Sequence, residues 1–435
     1  MRKVSLIIVL CGWCAAFLQA QDTLSLDRAI AMALQHNHGI AVARNDAAIA
    51  RNNAQPGNAD LLPQVSVNAG SSRSVNDTRL EFANGQDPID QTGANSTTYD
   101  ASLDATYTLF DGLGTFRTYA QLKTSAELAD VQARAVIENT LMDLVSSYYN
   151  LAYLQGQRSI QEEAVQLSNE RVERARINRK YGTGRQLEVL NAQVDLNTDS
   201  TVLIQVNLDY AIARRQLLFL LGVRNDSAVL VHQDVTFDRT WALEGLKQLA
   251  ERNNAAVLAA AHQLTIGRQQ QQIARSGYAP RINVNGSYGY NQSNTDAGFI
   301  TKNRSTGLTV GISLSFNIFN GRTVNRSVQN ARISLESSKE EYDEALDLLM
   351  QEVHNGWDTY RFQQQRLALE ISNLATAEDN FSRTQEAQRL GQATGIEYRE
   401  AQLNLLRARD RINDARYQAK VSEMELLRIS GQLMR

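Results

Sequence analysis

The sequence predicts an α+β fold built from two copies of one unit, each with a long helical hairpin and two strands. Three observations predict it. One plan repeats along the 435 residues. The prolines, 4 in all, lie outside two long segments, 112–222 and 321–431. Between the helical parts, stretches of sequence alternate apolar and polar residues with the period of a strand.

The internal repeat covers nearly the whole chain. The first predicted repeat spans residues 21–222, a connector spans 223–240, and the second repeat spans 241–435. The second half of each copy matches at an offset of 209, and the first half at an offset of 217. The matching residues include Phe110 with Phe319, Gly182 with Gly391, Leu26 with Leu243, and Pro63 with Pro280.

The two proline-free segments predict long helices, because a proline inside a helix costs about 3 kcal/mol. Glycines at 182–184 and at 391–395 break each segment into a hairpin of two helices, 112–222 and 321–431. Each returning helix carries apolar or small residues at steps of three and four, the seam of a coiled coil. In the first copy only Asp199 interrupts this seam.

The alternating stretches predict strands near 63–77, 97–110, 280–293 and 304–319. Leu103 and Ile312 belong to the apolar sets, and Ser102 and Ser313 to the polar sets. Any one of these strands would also suit a half-buried soluble sheet. A barrel needs about eight strands, however, and an open sheet edge in lipid leaves backbone groups unpaired. Three chains would supply twelve strands, so we expect a homotrimer that closes a 12-stranded transmembrane β-barrel.

The first 20 residues predict a secretory signal peptide. Arg2 and Lys3 precede an apolar run, and Ala20 is a small residue at a suitable cleavage point. Both cysteines, Cys11 and Cys14, lie inside this leader. The mature chain would then have no thiol for a disulfide, a metal site or a nucleophile.

Composition and spacing exclude several classes of function. A pI near 6.0 and a net charge of −3 give no basic surface for nucleic acid. After the leader we find no apolar run of about 18 residues, the length a spanning helix needs. His36 and His38 are two residues apart, which does not place them on one helix face for a metal. We expect no cofactor, no metal site and no catalysis.

This layout resembles the TolC-type outer-membrane efflux family over residues 24–431. Each copy opens with a helix that ends near Asn37 or Asn254 and enters a strand through Leu-Pro or Ala-Pro. It re-enters the helical part through a Phe-Asp-Gly or Phe-Asn-Gly turn. The resemblance implies a trimeric conduit in the outer membrane with a periplasmic helical barrel. It also implies two partners, a periplasmic adaptor and an inner-membrane pump that supplies the energy.

The resemblance also implies two groups of site residues. The glycine turns would be the surfaces that the adaptor meets: Tyr181, Gly182, Thr183, Gly184, Leu390 and Gly391. Glu397 and Glu400 match two positions at which the best-known members carry aspartates that line the closed periplasmic entrance, and Gln388 lies at a gate position that is aromatic in some members. Helix termination alone also accounts for the glycines, and a capping box from Thr394 to Glu397 also accounts for Glu397.

One alternative to a channel stays open at this stage. A non-channel periplasmic coiled-coil structural or adaptor protein would explain the helical seams but not the alternating strands.

A run of basic residues lies before and in the first turn. It predicts a solvated surface that an acidic adaptor could also meet: Arg171, Arg174, Arg176, Arg179, Lys180 and Arg185.

Overall fold

The computed structural model describes residues 23–83, 85–224, 229–237, 241–298 and 300–434. The predicted signal peptide, with Cys11 and Cys14, lies outside the described residues. The chain divides into two compact units. As far as they are described, the segments Met1–Ala41, Ile137–Lys247 and Glu352–Arg435 form one unit, and Val42–Val136 and Gln248–Gln351 form the other.

The order of elements repeats, as the internal duplication predicts: two helices, two strands and a long helical hairpin. The first copy contains α1 (Leu26–His36), α2 (His38–Asn53), β1 (Gln64–Leu80), β2 (Ile89–Phe110), α3 (Gly114–Lys180) and α4 (Gln186–Leu220). The second contains α5 (Leu243–Asn253), α6 (Ala255–Ser276), β3 (Arg281–Thr295), β4 (Lys302–Ser315), α7 (Thr323–Arg389) and α8 (Gly395–Ile429).

Two helices, rather than the single one predicted, precede the first strand of each copy. The break falls at the asparagine in both. The Asn37 side-chain oxygen accepts a hydrogen bond from the Ile40 N–H at 3.1 Å, and the Asn254 oxygen accepts one from the Ala256 N–H at 2.9 Å. An asparagine that binds the exposed N–H groups of a first turn starts a new helix. Asn37 and Asn254 are therefore N-caps and not only helix ends.

The strands form one antiparallel sheet in the order β1-β2-β3-β4, which leaves β1 and β4 as its edges. The register aligns the two sets of side chains across all four strands. One row joins Val67, Leu103, Tyr288 and Leu308, and the next joins Asn68, Ser102, Gly289 and Gly307. Since alternate residues point to opposite faces, the sheet has one apolar face and one polar face.

Two strand boundaries differ from the prediction. β2 begins at Ile89 rather than near residue 97, because Ile89 pairs with Leu80 and extends the hairpin through residues that do not alternate. β4 ends at Ser315 rather than near residue 319. Ser315 pairs with Arg281, and the residue before Arg281 is Pro280, which has no N–H to continue the ladder.

The unit that contains the ends of both hairpins has an apolar core where α1, α3, α4 and α8 pack together. Ala29 and Ala33 of α1 are fully buried there. The Tyr148 hydroxyl donates a hydrogen bond to the Leu24 carbonyl at 2.7 Å, and burial raises the pKa of Tyr148 to about 12. Tyr149 stacks on Tyr417 with ring centres 5.8 Å apart.

In the part of the chain that the structure describes, no helix has the length and apolarity to cross a membrane.

Candidate functional site: the hairpin turns and the start of α8

The turn between α3 and α4 is closed by backbone hydrogen bonds. The N–H groups of Thr183 and Gly184 both donate to the Asn178 carbonyl, at 3.0 and 3.1 Å. Gly182 has a φ of 77°, which an L side chain rarely adopts. A Cβ at this position would meet nothing within 4 Å, so the glycine serves the backbone conformation and not close packing. The Tyr181 side chain beside it is 75% exposed.

The turn between α7 and α8 repeats this geometry. Gly391 has a φ of 73° and open space around it, and the Gln392 N–H donates to the Ala387 carbonyl at 2.8 Å. Leu390 is 64% exposed and takes the place of Tyr181. Both turns therefore hold an exposed apolar side chain directly before a glycine whose conformation ends the helix.

Further exposed apolar side chains lie within a few residues of both turns. Ile177, Leu187 and Leu190 belong to the first hairpin, and Ile396 to the second. Large apolar side chains that cluster on a surface are typical of contact sites for other proteins. The predicted docking residues thus lie within two exposed apolar turn surfaces.

The predicted gate residues lie at the last turn of α7 and the first turns of α8. The Glu397 carboxylate accepts hydrogen bonds from the Thr394 N–H at 2.7 Å and from its hydroxyl at 2.9 Å, while the Glu397 N–H donates to the hydroxyl oxygen at 3.2 Å. This is the capping box that the sequence left open as an explanation. These bonds hold the pKa of the Glu397 carboxyl below its usual range, the backbone bond contributing most.

Glu400 has a different environment from Glu397. Its side chain is exposed, and within the described ranges no hydrogen bond or ion pair involves its carboxylate. The two residues are three apart and share one face of α8. Gln388 is half-buried in the last turn of α7. A capping role therefore accounts for Glu397 but not for Glu400.

On the opposite face of α8, Arg399 belongs to a buried ionic network that the sequence analysis missed. The Arg399 guanidinium donates to both Asp199 carboxylate oxygens, at 2.7 and 2.9 Å. Asp199 also accepts from the buried Ser168 hydroxyl, and Arg171 forms an ion pair with Asp195. The network joins the start of α8 to the hairpin of α3 and α4.

Two expectations are corrected here. Asp199, which interrupts the predicted seam, is only 5% exposed and is stabilised in that position by Arg399. Arg171 is not part of a solvated basic surface, since its side chain is 13% exposed and paired. The signal was available in the sequence: an aspartate at a seam position requires a buried cation, because an unpaired buried charge is strongly destabilising.

Some polar atoms of this cluster have no hydrogen-bond partner among the residues that the structure describes. They are Nη1 of Arg171, Nε of Arg399, Nε2 of Gln402 and the Tyr398 hydroxyl. Tyr398 is fully buried and lies against Phe381, with ring centres 5.5 Å apart. The cluster is thus tightly packed around Tyr398 but incompletely hydrogen-bonded.

Comparison with known proteins identifies the family. The model of the outer membrane efflux protein family matches residues 29–223 and 246–432. The chain belongs to this family, and it is an outer-membrane efflux channel. The alternative, a periplasmic structural or adaptor protein, finds no support in the comparisons. The family is one of channels and not of enzymes.

Two curated relatives illustrate the match. The chain is 22% identical over 391 residues to outer membrane protein TolC of Escherichia coli, which covers 86% of this chain and 75% of TolC. It is 20% identical over 337 residues to the outer membrane efflux protein BepC of Brucella suis, covering 78% of this chain and 73% of BepC.

Solved structures share the fold. The CmeC outer membrane channel of Campylobacter jejuni superposes with a TM-score of 0.79 at 15% identity, covering 94% of this chain and 86% of CmeC. The outer membrane protein VceC of Vibrio cholerae gives 0.77 at 17% identity, covering 93% and 96%. At such identities the superposition supports the fold, and not the roles of single residues.

Proposed function

We propose that three copies of this chain form the exit duct of a tripartite efflux or type I secretion system. Substrate would pass from an inner-membrane pump and a periplasmic adaptor through the duct to the outside. The observation that carries this proposal is the sheet with one apolar face and two open edges, β1 and β4. Lipid can cover the apolar face, but only another strand can satisfy the backbone groups of an edge.

The polar face suits the lumen of such a barrel. Asp104 lies on this face in the middle of β2, and its carboxylate accepts hydrogen bonds from Ser102 at 2.6 Å and from Asn68 at 2.7 Å. Asp100 belongs to the same face, four residues nearer the β1–β2 loop. An assembly of three chains would carry six such carboxylates around a water-filled lumen. A transmembrane barrel needs this combination of a polar interior and an apolar exterior.

We propose that the two turn surfaces bind the adaptor. Tyr181 and Leu390 are exposed apolar side chains at the ends of their hairpins, and Gly182, Thr183, Gly184 and Gly391 give those ends their shape. Arg179, Lys180 and Arg185 surround the first turn with exposed positive charge. An adaptor tip with apolar contacts and acidic residues would fit this surface.

We propose that Glu397, Glu400 and Gln388 line the periplasmic entrance. Three chains would bring six carboxylates toward one axis, which attracts cations and opposes closure through like-charge repulsion. The exposure of Glu400 without a partner carboxylate or cation among the described residues supports this role.

Conductance in planar bilayers tests the proposed duct. Protein extracted from outer membranes in detergent should have the mass of three chains and should insert as a channel with steady single-channel conductance. A stable monomer in the membrane, or a trimer that inserts without conducting, would contradict the proposal.

Crosslinking at the turns tests the docking surfaces. A photoreactive residue at Tyr181 or Leu390 should capture one periplasmic protein with a coiled-coil hairpin, identified by mass spectrometry. The matched control is the same probe at Phe219, which is 76% exposed but lies at the far end of α4. Equal capture from Phe219, or none from either turn, would show that the turns are not the docking surfaces.

A further inference from the structure

Three basic residues belong to the apolar face of the sheet, toward its loop end: Arg73 on the edge strand β1, and Lys302 and Arg304 on the opposite edge strand β4. Arg73 and Lys302 belong to one row, in which Arg73 pairs with Thr97, Thr97 with Asn294, and Asn294 with Lys302. Arg304 belongs to the adjacent row, which also contains Tyr99. We call Arg73, Lys302 and Arg304 the rim cations.

The side chains of the two arginines lie along this face. The Arg73 guanidinium donates to the Asn95 side-chain oxygen at 2.8 Å, and the Arg304 Nε donates to the Gln292 oxygen at 3.0 Å. The same Gln292 oxygen accepts from the Tyr290 hydroxyl at 2.8 Å. These neutral amides orient the guanidinium groups without neutralising them.

No carboxylate neutralises the rim cations. In the described part of the chain none of the three forms an ion pair, and the sheet carboxylates Asp100 and Asp104 belong to the opposite face. The neighbouring Arg79, by contrast, pairs with Glu81 and Asp90. All three rim cations are exposed, so each can bind an anion from outside the protein.

The position of the rim cations relative to the apolar rows indicates what that anion is attached to. Tyr99 lies in the row of Arg304, Tyr290 lies in the next row away from the loops, and Leu103, Leu308 and Ile312 follow. Tyrosines on an outer barrel face mark the level of lipid headgroups, and the aliphatic rows beyond them mark the acyl chains. A ligand that covers both parts has an anionic head and apolar chains.

We propose that the rim cations bind the phosphate groups of a membrane lipid in the leaflet at the loop end of the barrel. The proposal rests on the proposed function, because lipid must surround the apolar face. Arginine and lysine bind phosphate oxygens through charge-assisted hydrogen bonds, arginine in a bidentate manner. Within one chain, Lys302 and Arg304 lie on β4 and Arg73 on β1, so the three cations are spread across the sheet at one level.

Native mass spectrometry of detergent-purified trimers tests this site. The probes are a bisphosphorylated glycolipid with several acyl chains and the same glycolipid with both phosphates removed. Wild-type trimers should retain the phosphorylated probe at least about tenfold better than Arg73→Gln/Lys302→Gln/Arg304→Gln trimers, since each basic residue contributes severalfold to binding at a membrane surface. The dephosphorylated probe should bind both proteins equally weakly.

A matched control loses the same charge elsewhere. Arg79→Gln/Arg281→Gln/Arg332→Gln removes three cations that lie at the end of β1, on the polar face and on α7. It should retain the phosphorylated probe like wild type. Equal retention by wild type and the rim variant would overturn the proposal, and so would displacement of the lipid by millimolar inorganic phosphate, which indicates a site for free anions. Conductance of the rim variant, measured in parallel, tests the duct separately: a conducting trimer without lipid preference contradicts only the rim site.

Discussion

The ion pair between Arg399 and Asp199 joins the start of α8 to α4 within a buried environment, with side chains 12% and 7% exposed. Removing one partner of a buried pair costs about 3–5 kcal/mol, because the other charge remains buried without compensation. We predict this cost for Arg399→Met. Arg399→Met combined with Asp199→Leu should recover most of it. The measurement is the denaturant midpoint of the helical circular dichroism signal in detergent.

A control for this substitution lies on α3, in the hairpin whose α4 carries Asp199. Arg176 pairs with Glu173, and both side chains are 55% exposed. Arg176→Met should therefore change the unfolding free energy by less than about 1 kcal/mol. If Arg399→Met were as mild as Arg176→Met, the network would be a surface feature and its assigned role at the start of α8 would be wrong.

The carboxylates at the proposed entrance predict a change in ion selectivity. Single-channel recordings of Glu397→Gln/Glu400→Gln should give weaker cation preference and less block by multivalent cations added from the periplasmic side. Glu340→Gln/Glu341→Gln, which removes two acidic residues of α7 outside the proposed gate, serves as the control. Unchanged selectivity and block in the first variant would show that Glu397 and Glu400 only stabilise the start of α8.

The pH dependence of this effect follows from the capping box. Hydrogen bonds from Thr394 lower the pKa of Glu397, so its carboxylate stays charged as the pH falls through the usual range of a glutamate. A lowered folded-state pKa means that the stabilisation of the cap is present above the unfolded pKa and is lost as the pH falls through the folded value. The cation preference due to Glu397 should therefore persist to lower pH in wild type than in Thr394→Ala.

At the scale of elements, the two faces of the sheet predict opposite responses to charge. Leu103→Arg or Ile312→Arg would place a cation in the lipid belt at a cost of about 2–4 kcal/mol near the midplane. Ser102→Arg and Ser313→Arg lie on the polar face, in rows adjacent to those of Leu103 and Ile312, and should be better tolerated. The amount of membrane-inserted trimer, measured after extraction, decides between the faces. Equal losses from both sets would mean that the apolar face has been wrongly assigned to the lipid.

Most elements could be predicted because the sequence pattern of a helix or strand lies within a single segment of the chain. The absence of proline indicated the helices of both hairpins, and alternation indicated the four strands. The features that this pattern missed depend on contacts between segments. β2 extends back to Ile89 because β1 offers it a partner, and the pair of Asp199 with Arg399 joins residues 200 positions apart. The extension of β2 has no local signature, and an aspartate at a seam position indicates a buried cation without indicating which one. The two N-caps, Asn37 and Asn254, did have one, since asparagine favours that position.

The site was predicted less completely than the fold. The glycines at 182 and 391 could be found because a positive φ leaves a trace in residue type. The rim cations could not, because Arg73 is far from Lys302 and Arg304 in sequence and shares their level on the apolar face only through the register of the sheet. The roles of Glu397 and Glu400 at an entrance also depend on neighbouring chains, and stay predictions.

At the scale of the whole molecule, the account depends on the open edges of the sheet meeting between chains. Within one chain β1 and β4 are separated by two strands, and neighbouring strands are about 4.8 Å apart. Three such spacings place β4 about 14 Å from β1, which exceeds the Cα separation of about 7 Å that a disulfide can bridge. The only cysteines, Cys11 and Cys14, lie in the predicted leader, so introduced cysteines would be the sole thiols of the mature chain.

A disulfide scan across the edges tests this claim most directly. Asn68→Cys in β1 is combined in turn with a cysteine at each polar-face position of β4, from Asn303 to Ser313, and oxidised in membranes. The account predicts that at least one combination gives a ladder of one, two and three linked chains that stops at three. Val67→Cys, which lies on the opposite face, should not link to the same positions. No linkage at any position, or a ladder that continues beyond three chains, would contradict the account.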